Sequence, residues 1–377
     1  MSAWPGKFVI GLTGNIATGK SVVRKMLEHL GAYGIDADAL SHRAISSEAP
    51  GYSAVLDAFG KWILGPDGQI DRTRLGRLVF SDPAALATLE AIVHPLVRQA
   101  IDLLVRRASQ KVVVIEAIKL LEGPLASACD RIWVVTTPEE VQLLRLTKKR
   151  AMSAEVARQR IAAQSGQKAK AAAANVVIDN SGSFEDAWRQ VQAAWGRHVP
   201  AGLIEAERVA AAPKGAPFVE RAGPRQADEI ASFITEMSKG RRKLARSDIM
   251  SAFGEKAFLL LKVDGHLVGL AGWQVENLVA RASDVYLESG LVLGEAVRVL
   301  LDEIERASFD LQCEALLLFL PPHLARHNSV WGVLGYEMRA PQDLEVSAWK
   351  EAALESMPVG MVMLFKQLRK DRVMRPV

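Results

Sequence analysis

The chain has 377 residues, 49% of them apolar and 24% charged, so it suggests about two domains and argues against extensive disorder or a fibrous repeat. Its 47 basic residues against 43 acidic ones leave a net charge of +4 without long basic runs, which disfavours a nucleic-acid or anionic-membrane partner. Two cysteines, Cys129 and Cys313, are too few for a disulfide framework or a thiolate metal site. With no membrane-length apolar stretch and no secretory leader pattern, we expect a soluble, cytoplasmic protein.

Short β-branched runs alternate with helical patterns over the first 200 residues, which is typical of a parallel sheet covered by helices. The first strand leads directly into an amphipathic helix that Gly31 should end. The predicted strands are Phe8–Leu12, Ala32–Ile35, Val112–Ile115, Ile132–Thr136 and Val176–Ile178. Further helices are predicted over Pro83–Ser109, Pro138–Gln164 and Phe184–Trp195.

An Ala-, Pro- and Gly-rich segment follows, so we predict a domain over 1–200, a linker over 201–217 and a second domain over 218–377. If the linker carries few core contacts, residues 1–205 should be active alone; alternatively, Phe184–Trp195 packs on both domains. The turn Asp264-Gly265 predicts a β-hairpin, and the second domain should be α/β with a mainly antiparallel sheet. Its predicted elements are helices Gln226–Lys239 and Gly294–Ser308 and strands Phe258–Val263, Leu267–Val275, Ala282–Leu287 and Ala315–Leu320.

A phosphate-binding loop lies between the first strand and the first helix. Residues Gly14-Asn15-Ile16-Ala17-Thr18-Gly19-Lys20-Ser21 fit the pattern G-x-x-x-x-G-K-[ST], in which backbone N–H groups surround a polyphosphate. The lysine supplies charge to the β and γ phosphates, and the serine hydroxyl can bind Mg²⁺. We therefore predict an ATP site over residues 14–22, from Gly14 to Val22.

A guanine-reading Asn-Lys-x-Asp segment is missing, so a small-molecule kinase is the economical interpretation. Asp36 follows the second strand, at the edge where ligands of such sheets bind, and can take the proton of an attacking hydroxyl; alternatively, it caps the next helix. Glu116 ends the strongest strand and can orient a magnesium-bound water, or simply face solvent. A kinase for another small hydroxyl substrate and a non-catalytic ATP-binding sensor stay open.

Many spaced residues from about Phe8 to Val199 resemble the dephospho-CoA kinases, which phosphorylate the ribose 3′-hydroxyl of dephospho-CoA in the last step of coenzyme A synthesis. Departures from that family include Ile118-Lys119 in place of Pro-Leu and Asn15 in place of glycine. The matching residues are Gly11–Gly14, Ile35–Asp38 with His42, Phe59-Gly60, Ile70–Arg72 with Leu75 and Phe80, Leu89-Glu90, His94-Pro95, Leu120–Glu122, Gln142 with Arg145, Gln164 and Val177–Asn180.

This resemblance implies a P-loop kinase that uses ATP and Mg²⁺ and takes dephospho-CoA as its small-molecule substrate. It implies catalytic roles for Lys20, Asp36 and Arg145, the last from a lid that closes over ATP. From their own chemistry and positions, Ser21 and Glu116 are the predicted metal ligands. The acceptor-side residues that the resemblance implies are Asp38, His42, Arg72, His94 and Glu122.

Residues from about 218 to 367 resemble GNAT-type acyltransferases in element order and in two local patterns. Gly294-Glu295-Ala296 matches the end of an acyl-CoA pyrophosphate loop, and Trp331–Glu337 matches a late segment of that fold. Leu291 stands where an arginine or glutamine is usual, and no general base is evident. The second domain is thus an acyltransferase, a silent module that binds CoA or acyl-CoA, or a folding domain that binds nothing; we favour the silent module.

Overall fold

A computed structural model describes residues 3–149, 152–203 and 215–373 of the chain. Packing divides the chain into two compact units, and each unit takes residues from both halves of the sequence. We call the first unit the nucleotide unit and the second the acceptor unit, after the residues that the sequence leads us to expect on the two sides of a kinase site. The nucleotide unit comprises Met1–Asp36, Ala108–Leu270 and Tyr286–Ser289, and the acceptor unit comprises Ala37–Arg107, Ala271–Val285 and Gly290–Val377.

The predicted alternation of strands and helices is present before residue 200. The strands are β1 (Phe8–Thr13), β2 (Tyr33–Asp36), β3 (Val112–Glu116), β4 (Arg131–Thr136) and β5 (Val176–Asp179). The helices are α1 (Lys20–His29), α2 (Ala37–Arg43), α3 (Gly51–Phe59), α4 (Arg72–Ser81), α5 (Pro83–Arg107), α6 (Leu125–Ala128), α7 (Glu139–Lys149), α8 (Ala154–Ala162), α9 (Gln167–Ala172) and α10 (Phe184–His198). Short 3₁₀ turns cover Lys61–Ile63, Leu120–Glu122 and Ala201–Leu203.

The strands of this half form a sheet of order β2-β3-β1-β4-β5, and all of its described neighbours run parallel. All six residues of β1 are buried, as expected for a central parallel strand. Helix α1 buries Val23, Met26 and Leu27 in the same core, where each apolar side chain contributes roughly 1.5–3 kcal/mol. This confirms the predicted α/β fold with a parallel sheet.

One helix prediction was wrong. The segment Pro138–Gln164 holds two helices, α7 and α8, instead of one. Ser153 is the N-cap of α8, because its hydroxyl accepts a hydrogen bond from Val156 N at 3.3 Å. Apolar periodicity continues through the break and therefore conceals it.

The second half contains helices and a mixed sheet. Its strands are β6 (Phe218–Arg221), β7 (Ala257–Val263), β8 (His266–Glu276), β9 (Val279–Leu287), β10 (Ala315–Leu320), β11 (Glu337–Met338) and β12 (Val362–Gln367). Its helices are α11 (Ala227–Met237), α12 (Arg246–Ala252), α13 (Leu293–Asp310), α14 (Pro322–Ala325), α15 (Asn328–Val333) and α16 (Ser347–Ser356), with 3₁₀ turns at Pro224–Gln226 and Pro341–Asp343.

The strand order of this second sheet is β11-β12-β10-β9-β8-β7-β6. Pairs β6–β7, β10–β12 and β11–β12 are antiparallel, whereas β9 and β10 are parallel over Val279–Ala282 and Ala315–Leu318. Asp264 (φ 49°) and Gly265 (φ 84°) form the tight turn of the predicted hairpin. The mainly antiparallel sheet is confirmed.

Helix α10 contacts more than the parallel-sheet core. Phe184 packs against that core and also against a cluster that includes Phe253 and Ile249, all within the nucleotide unit. This packing favours the alternative in which Phe184–Trp195 supports both halves of the sequence, so residues 1–205 alone would expose apolar surface. Residues 204–214 of the predicted linker lie outside the described residues.

No helix within the described ranges is both long enough and apolar enough to cross a membrane. Neither cysteine forms a disulfide; Cys313 is buried and Cys129 is half-buried. Burial is also the main reason that the pKa of Cys129 is raised to about 12.

Candidate active site

At two positions of the phosphate loop, the backbone conformation requires glycine. Gly14 has φ 152° and Gly19 has φ 89°, both in the region that disfavours a side chain. A Cβ at Gly14 would clash with the carbonyl oxygen of Val135, and one at Gly19 would clash with the amide of Asn180. The glycines of the motif therefore serve both the turn and its close packing.

Side chains from distant segments hold the loop in shape. Ile16 N donates a 2.7 Å hydrogen bond to Gln164 Oε1, and Asn180 Nδ2 donates to Thr18 O at 2.8 Å. Asn15, which replaces a glycine of the family pattern, donates from Nδ2 to Ser165 O at 3.1 Å. Asn15 therefore ties the phosphate loop to the segment around Ser165.

Lys20 and Ser21 form the first turn of α1, where the helix dipole favours anions. The Lys20 side chain is buried, and its Nζ lies 3.4 Å from Asn15 O, so the ammonium group is folded over the loop. Val22 in the same turn is half-buried and packs against the core. The predicted ATP site of residues 14–22 is therefore the loop that follows β1 together with the first turn of α1.

Arg145 lies on α7 and contacts the loop directly. Its Nη1 donates to Ala17 O and Thr18 O, each at 3.2 Å, and its Nη2 donates to Asn180 O at 2.7 Å. Burial lowers the pKa of Arg145 from its usual value. The sequence resemblance placed this arginine near ATP, and the structure brings its guanidinium to the phosphate loop.

Asp36 and Glu116 end two adjacent parallel strands. They are register partners in the pairing of β2 with β3, so both carboxylates leave the sheet at the same edge. Ser21 Oγ donates to Glu116 Oε1 at 2.9 Å, which joins this carboxylate to the phosphate loop. The nucleotide unit therefore gathers Lys20, Ser21, Asp36, Glu116 and Arg145 around one end of its sheet.

Sequence reasoning missed Arg24. Its Nε donates to Glu116 Oε2 at 2.8 Å and its Nη1 contacts Glu28 Oε1 at 2.6 Å, with all three side chains nearly buried. Burial alone would lower the pKa of Arg24, but the carboxylates of Glu28, Glu116 and Asp36 raise it. The available signal was a charged stripe, Lys20, Arg24 and Glu28, spaced four residues apart along α1.

Oxygen donors suited to Mg²⁺ occur where the sequence predicts them. Arg24 occupies one oxygen of Glu116, and Ser21 shares the other oxygen, so a hydroxyl and a carboxylate meet beside the loop. Among the described residues, no group of three or more His, Cys, Asp or Glu side chains could hold a metal alone. Mg²⁺ usually takes few ligands from the protein and the others from substrate phosphates and water. Ser21 and Glu116 fit such a site.

Most of the implied acceptor-side residues lie in the acceptor unit. Asp38 and His42 lie on α2, Arg72 begins α4 after the N-cap Asp71, and His94 is exposed in the middle of α5. His94 therefore does not start a helix, although a proline follows it.

Arg72 Nη2 lies 3.1 Å from Glu351 Oε2 on α16. The pKa of His42 is lowered, first because the surrounding protein removes water from the ring and then because the Arg72 guanidinium is positively charged. Part of the His42 side chain nevertheless stays exposed.

Glu122 lies in the nucleotide unit, apart in the chain from the other implied acceptor residues. Its carboxylate is exposed and accepts a 3.2 Å hydrogen bond from Ser165 Oγ. Ser165 follows Gln164, whose side chain binds the phosphate loop. Glu122 is thus connected to the loop through Ser165 and Gln164.

The second-domain candidates occupy the first turn of α13. Gly294, Glu295 and Ala296 follow the N-cap Val292, and a Cβ at Gly294 would meet no atom within 4 Å. The helix start is therefore sterically open at Gly294, as a pyrophosphate contact requires. Glu295 puts a negative charge in the same turn.

The parallel sheet, the loop at the start of α1, the paired carboxylates and the arginine from α7 together define a phosphate-loop kinase. The family model described as dephospho-CoA kinase matches residues 8–186. A dephospho-CoA kinase of Geobacter sulfurreducens is 41% identical over 195 residues, which cover 51% of this chain and 99% of that protein. The chain belongs to the dephospho-CoA kinase family.

Two further comparisons concern a curated protein and a solved structure. The dephospho-CoA kinase of Geobacter metallireducens is 45% identical over 194 residues, or 51% of this chain and 96% of its own length. An acetyltransferase of the GNAT family from Staphylococcus aureus Mu50 is 12% identical with a TM-score of 0.33, and the match covers 41% of this chain and all of that one. The kinase relatives therefore account for about half of the chain.

Proposed function

We propose that this protein transfers the γ-phosphoryl group of ATP to the ribose 3′-hydroxyl of dephospho-CoA, giving CoA and ADP. The observation that carries this proposal is the register pairing of Asp36 with Glu116, because Ser21 joins that pair to the phosphate loop. One carboxylate can then serve the acceptor hydroxyl while the other serves the metal side. Family membership supports the choice of substrate.

Residues 14–22 hold ATP in this proposal. The loop amides and the start of α1 receive the β and γ phosphates, and Lys20 adds a positive charge beside them. Arg145 is already bonded to two loop carbonyls, and its planar guanidinium suits the charge that spreads over a transferring phosphoryl group. Bound Mg²⁺, held by Ser21 and Glu116, would neutralise phosphate charge.

Asp36 acts on the acceptor. Its carboxylate takes the proton of the ribose hydroxyl as the new O–P bond forms, and the bond from the γ phosphorus to the bridging oxygen breaks. The electron pair of that bond leaves with ADP. Asp38, His42, Arg72, His94 and Glu122 are proposed to bind dephospho-CoA, whose phosphates suit the guanidinium of Arg72.

The position of the new phosphate tests this proposal. We expect the product of ATP and dephospho-CoA to show a 3′-phosphomonoester by phosphorus NMR and to match authentic CoA by mass and retention time. An Asp36→Asn protein, which keeps the shape of the side chain, should form that product much more slowly. A phosphate at another hydroxyl, or turnover that ignores dephospho-CoA, would contradict the proposal.

The second domain is proposed to bind the CoA pyrophosphate at the start of α13, near Gly294, Glu295 and Ala296. The open backbone at Gly294 supports this role. Leu291 offers no cation to the pyrophosphate, so we expect weak binding of CoA or acyl-CoA and slow or absent acyl transfer. The domain limits 1–200, 201–217 and 218–377 stay part of this proposal.

Calorimetric titration of the whole chain tests the second site. We expect CoA to bind at two sites, one belonging to the kinase, and Gly294→Glu to remove one of them by charge repulsion. Gly196→Glu is the control, because Gly196 is an exposed helix glycine at which a Cβ would also meet nothing within 4 Å, and it should retain both sites. A single CoA site in the wild-type protein would leave the second domain without this ligand, and rapid acetyl transfer to amines would make it an enzyme.

A further inference from the structure

A buried ion pair joins two distant parts of the acceptor unit. Arg43 Nη2 lies 2.7 Å from Glu314 Oε2, and the side chains of Arg43 and Glu314 are 4% and 0% exposed. Arg43 is the last residue of α2, whereas Glu314 directly precedes β10 in the second half of the chain. The pair thus links the acceptor side of the kinase half to the second half of the chain, which lies beyond the residues that the family model matches.

Each partner is fixed by further bonds. Arg43 Nη1 donates to Asn277 O at 2.8 Å, so two groups of the second half hold its guanidinium. Glu314 Oε1 accepts a hydrogen bond from Val373 N at 3.1 Å, and Glu314 N donates to Leu278 O at 2.8 Å. The second half of the chain therefore presents a carboxylate whose direction is set before Arg43 meets it.

The helix that Arg43 ends is short and carries acceptor-side residues. Helix α2 spans Ala37–Arg43, follows Asp36 directly in the chain, and includes Asp38 and His42. A helix of under two full turns has little stability of its own, so its tertiary contacts set its position. A two-pronged anchor at its C-terminal end limits both rotation and translation of the helix.

Within the acceptor unit, further polar contacts also join residues of the kinase half to residues of the second half of the chain. Ser347 Oγ donates to Glu48 Oε1 at 2.8 Å, and Gln69 Nε2 donates to Ser347 Oγ at 3.0 Å. The pair of Arg72 with Glu351 is half exposed and therefore weak. Of these contacts, the fully buried pair at Arg43 is the one that water does not screen.

A buried ion pair adds little net stability over apolar packing, because desolvation of the charges offsets their attraction. Its contribution is directional: Arg372 Nε also lies 3.8 Å from Glu314 Oε2, but Arg43 is the nearer partner and makes the short hydrogen bond that fixes the geometry. We propose that Glu314 is a positioning residue for the kinase reaction: through Arg43 it sets the orientation of α2 and so the affinity for dephospho-CoA. The appended domain is then part of the acceptor site, an inference that rests on the proposed kinase function.

Steady-state kinetics of Glu314→Gln test this inference, because glutamine keeps the shape and removes the charge. We expect the KM for dephospho-CoA to rise about tenfold, the order of one lost charge-assisted contact, with the KM for ATP unchanged. Arg43→Lys, which keeps the charge but lacks the planar fork, should give a smaller rise. Glu303→Gln, which breaks a pair with Arg306 at the surface of α13, is the matched control and should behave as wild type.

Hydrogen exchange separates this inference from the kinase proposal. In Glu314→Gln, amide protection should fall over residues 37–43 and persist over α1, whether or not dephospho-CoA proves to be the substrate. If Glu314→Gln fails to fold, the same comparison is made with Arg43→Lys. Unchanged protection over 37–43, or an equal loss of affinity for ATP and dephospho-CoA in a folded variant, would overturn the positioning role.

Discussion

Asp36 and Glu116 are register partners at the ends of two neighbouring parallel strands. Side chains at such paired ends share one edge of the sheet, and Ser21 binds Glu116 at 2.9 Å from the first turn of α1. The carboxylates of Asp36 and Glu116 thus lie beside one phosphate loop but in different environments. Ser21 and Arg24 both bind Glu116, so in the proposed reaction we assign Glu116 to the metal side and Asp36 to the acceptor.

Asp36→Asn should lower kcat by about 10²–10⁴-fold, because the amide cannot accept the proton of the acceptor hydroxyl. The KM for ATP should stay near its wild-type value. Asp38→Asn, two residues further along the chain, is the comparison variant and should affect the KM for dephospho-CoA more than kcat. A loss confined to ATP affinity in Asp36→Asn would assign Asp36 to the other substrate.

Lys20→Ala should abolish measurable turnover, with a loss of at least about 10²–10³-fold, since no other side chain of the loop brings a positive charge to the phosphates. The fold should survive, because the apolar face of α1 that packs in the core is unchanged. Lys168→Ala removes an exposed lysine from α9 and should leave the rate unaltered. Activity close to wild type in a well-folded Lys20→Ala protein would refute the role of the loop.

Glu351→Gln should lower the KM for dephospho-CoA by about two- to fivefold, because it frees Arg72 for an anionic substrate and an exposed ion pair is weak. Arg72→Gln should raise the same constant. Glu355→Gln, one turn further along α16, is the control and should have no effect. If Glu351→Gln instead raises the KM, Glu351 supports the binding arrangement of Arg72 and does not compete with substrate.

His29 should make folding stability depend on pH. Burial, followed by Arg221, lowers the pKa of His29 from 6.5 to about 3, while its Nε2 donates to Phe253 O. Below about pH 6.5 the unfolded chain is protonated at His29, whereas the folded protein takes up this proton only near pH 3. The contribution of His29 to the free energy of unfolding is therefore fully present above pH 6.5 and decreases as the pH falls. Between pH 6.5 and 5 the loss should be about 2 kcal/mol.

Urea unfolding of wild type and His29→Gln at pH 7, 6 and 5 measures this dependence. The glutamine can donate to the same carbonyl but does not titrate, so its unfolding free energy should vary less over this range. Glu28 also loses stabilisation on acidification, but its pKa is lowered to about 2, so its effect falls below pH 4.5. Parallel pH profiles of the two proteins would contradict the role of His29.

Local patterns predicted most of the kinase half. The strand–loop–helix unit around Lys20 and the position of Asp36 at a strand end follow from alternation, glycine spacing and topology rules. The break before α8 had a readable signal in Ser153, a helix N-cap with Glu155 in the first turn, yet uninterrupted apolar periodicity outweighed it.

Other features had weak local signals. Strand β9 starts at Val279, earlier than the predicted Ala282. The prediction started late because the charged Arg281 interrupts the apolar run. In the structure the Arg281 side chain is buried and pairs with Glu276. The link between Arg43 and Glu314 spans 271 residues, and neither flanking segment marks its residue as a partner. Such pairs form only when tertiary packing excludes water from both charges, so sequence periodicity cannot reveal them.

Single-turnover phosphoryl transfer from ATP, with enzyme in excess, tests whether this protein phosphorylates dephospho-CoA. Dephospho-CoA, adenosine and a sugar acid are offered as separate acceptors, with Lys20→Ala and Asp36→Asn proteins in parallel. We expect a fast burst of labelled CoA from dephospho-CoA, little transfer to the other two acceptors, and no burst in either variant. Equal or faster transfer to adenosine or the sugar acid, or ATP binding without transfer to any acceptor, would contradict it.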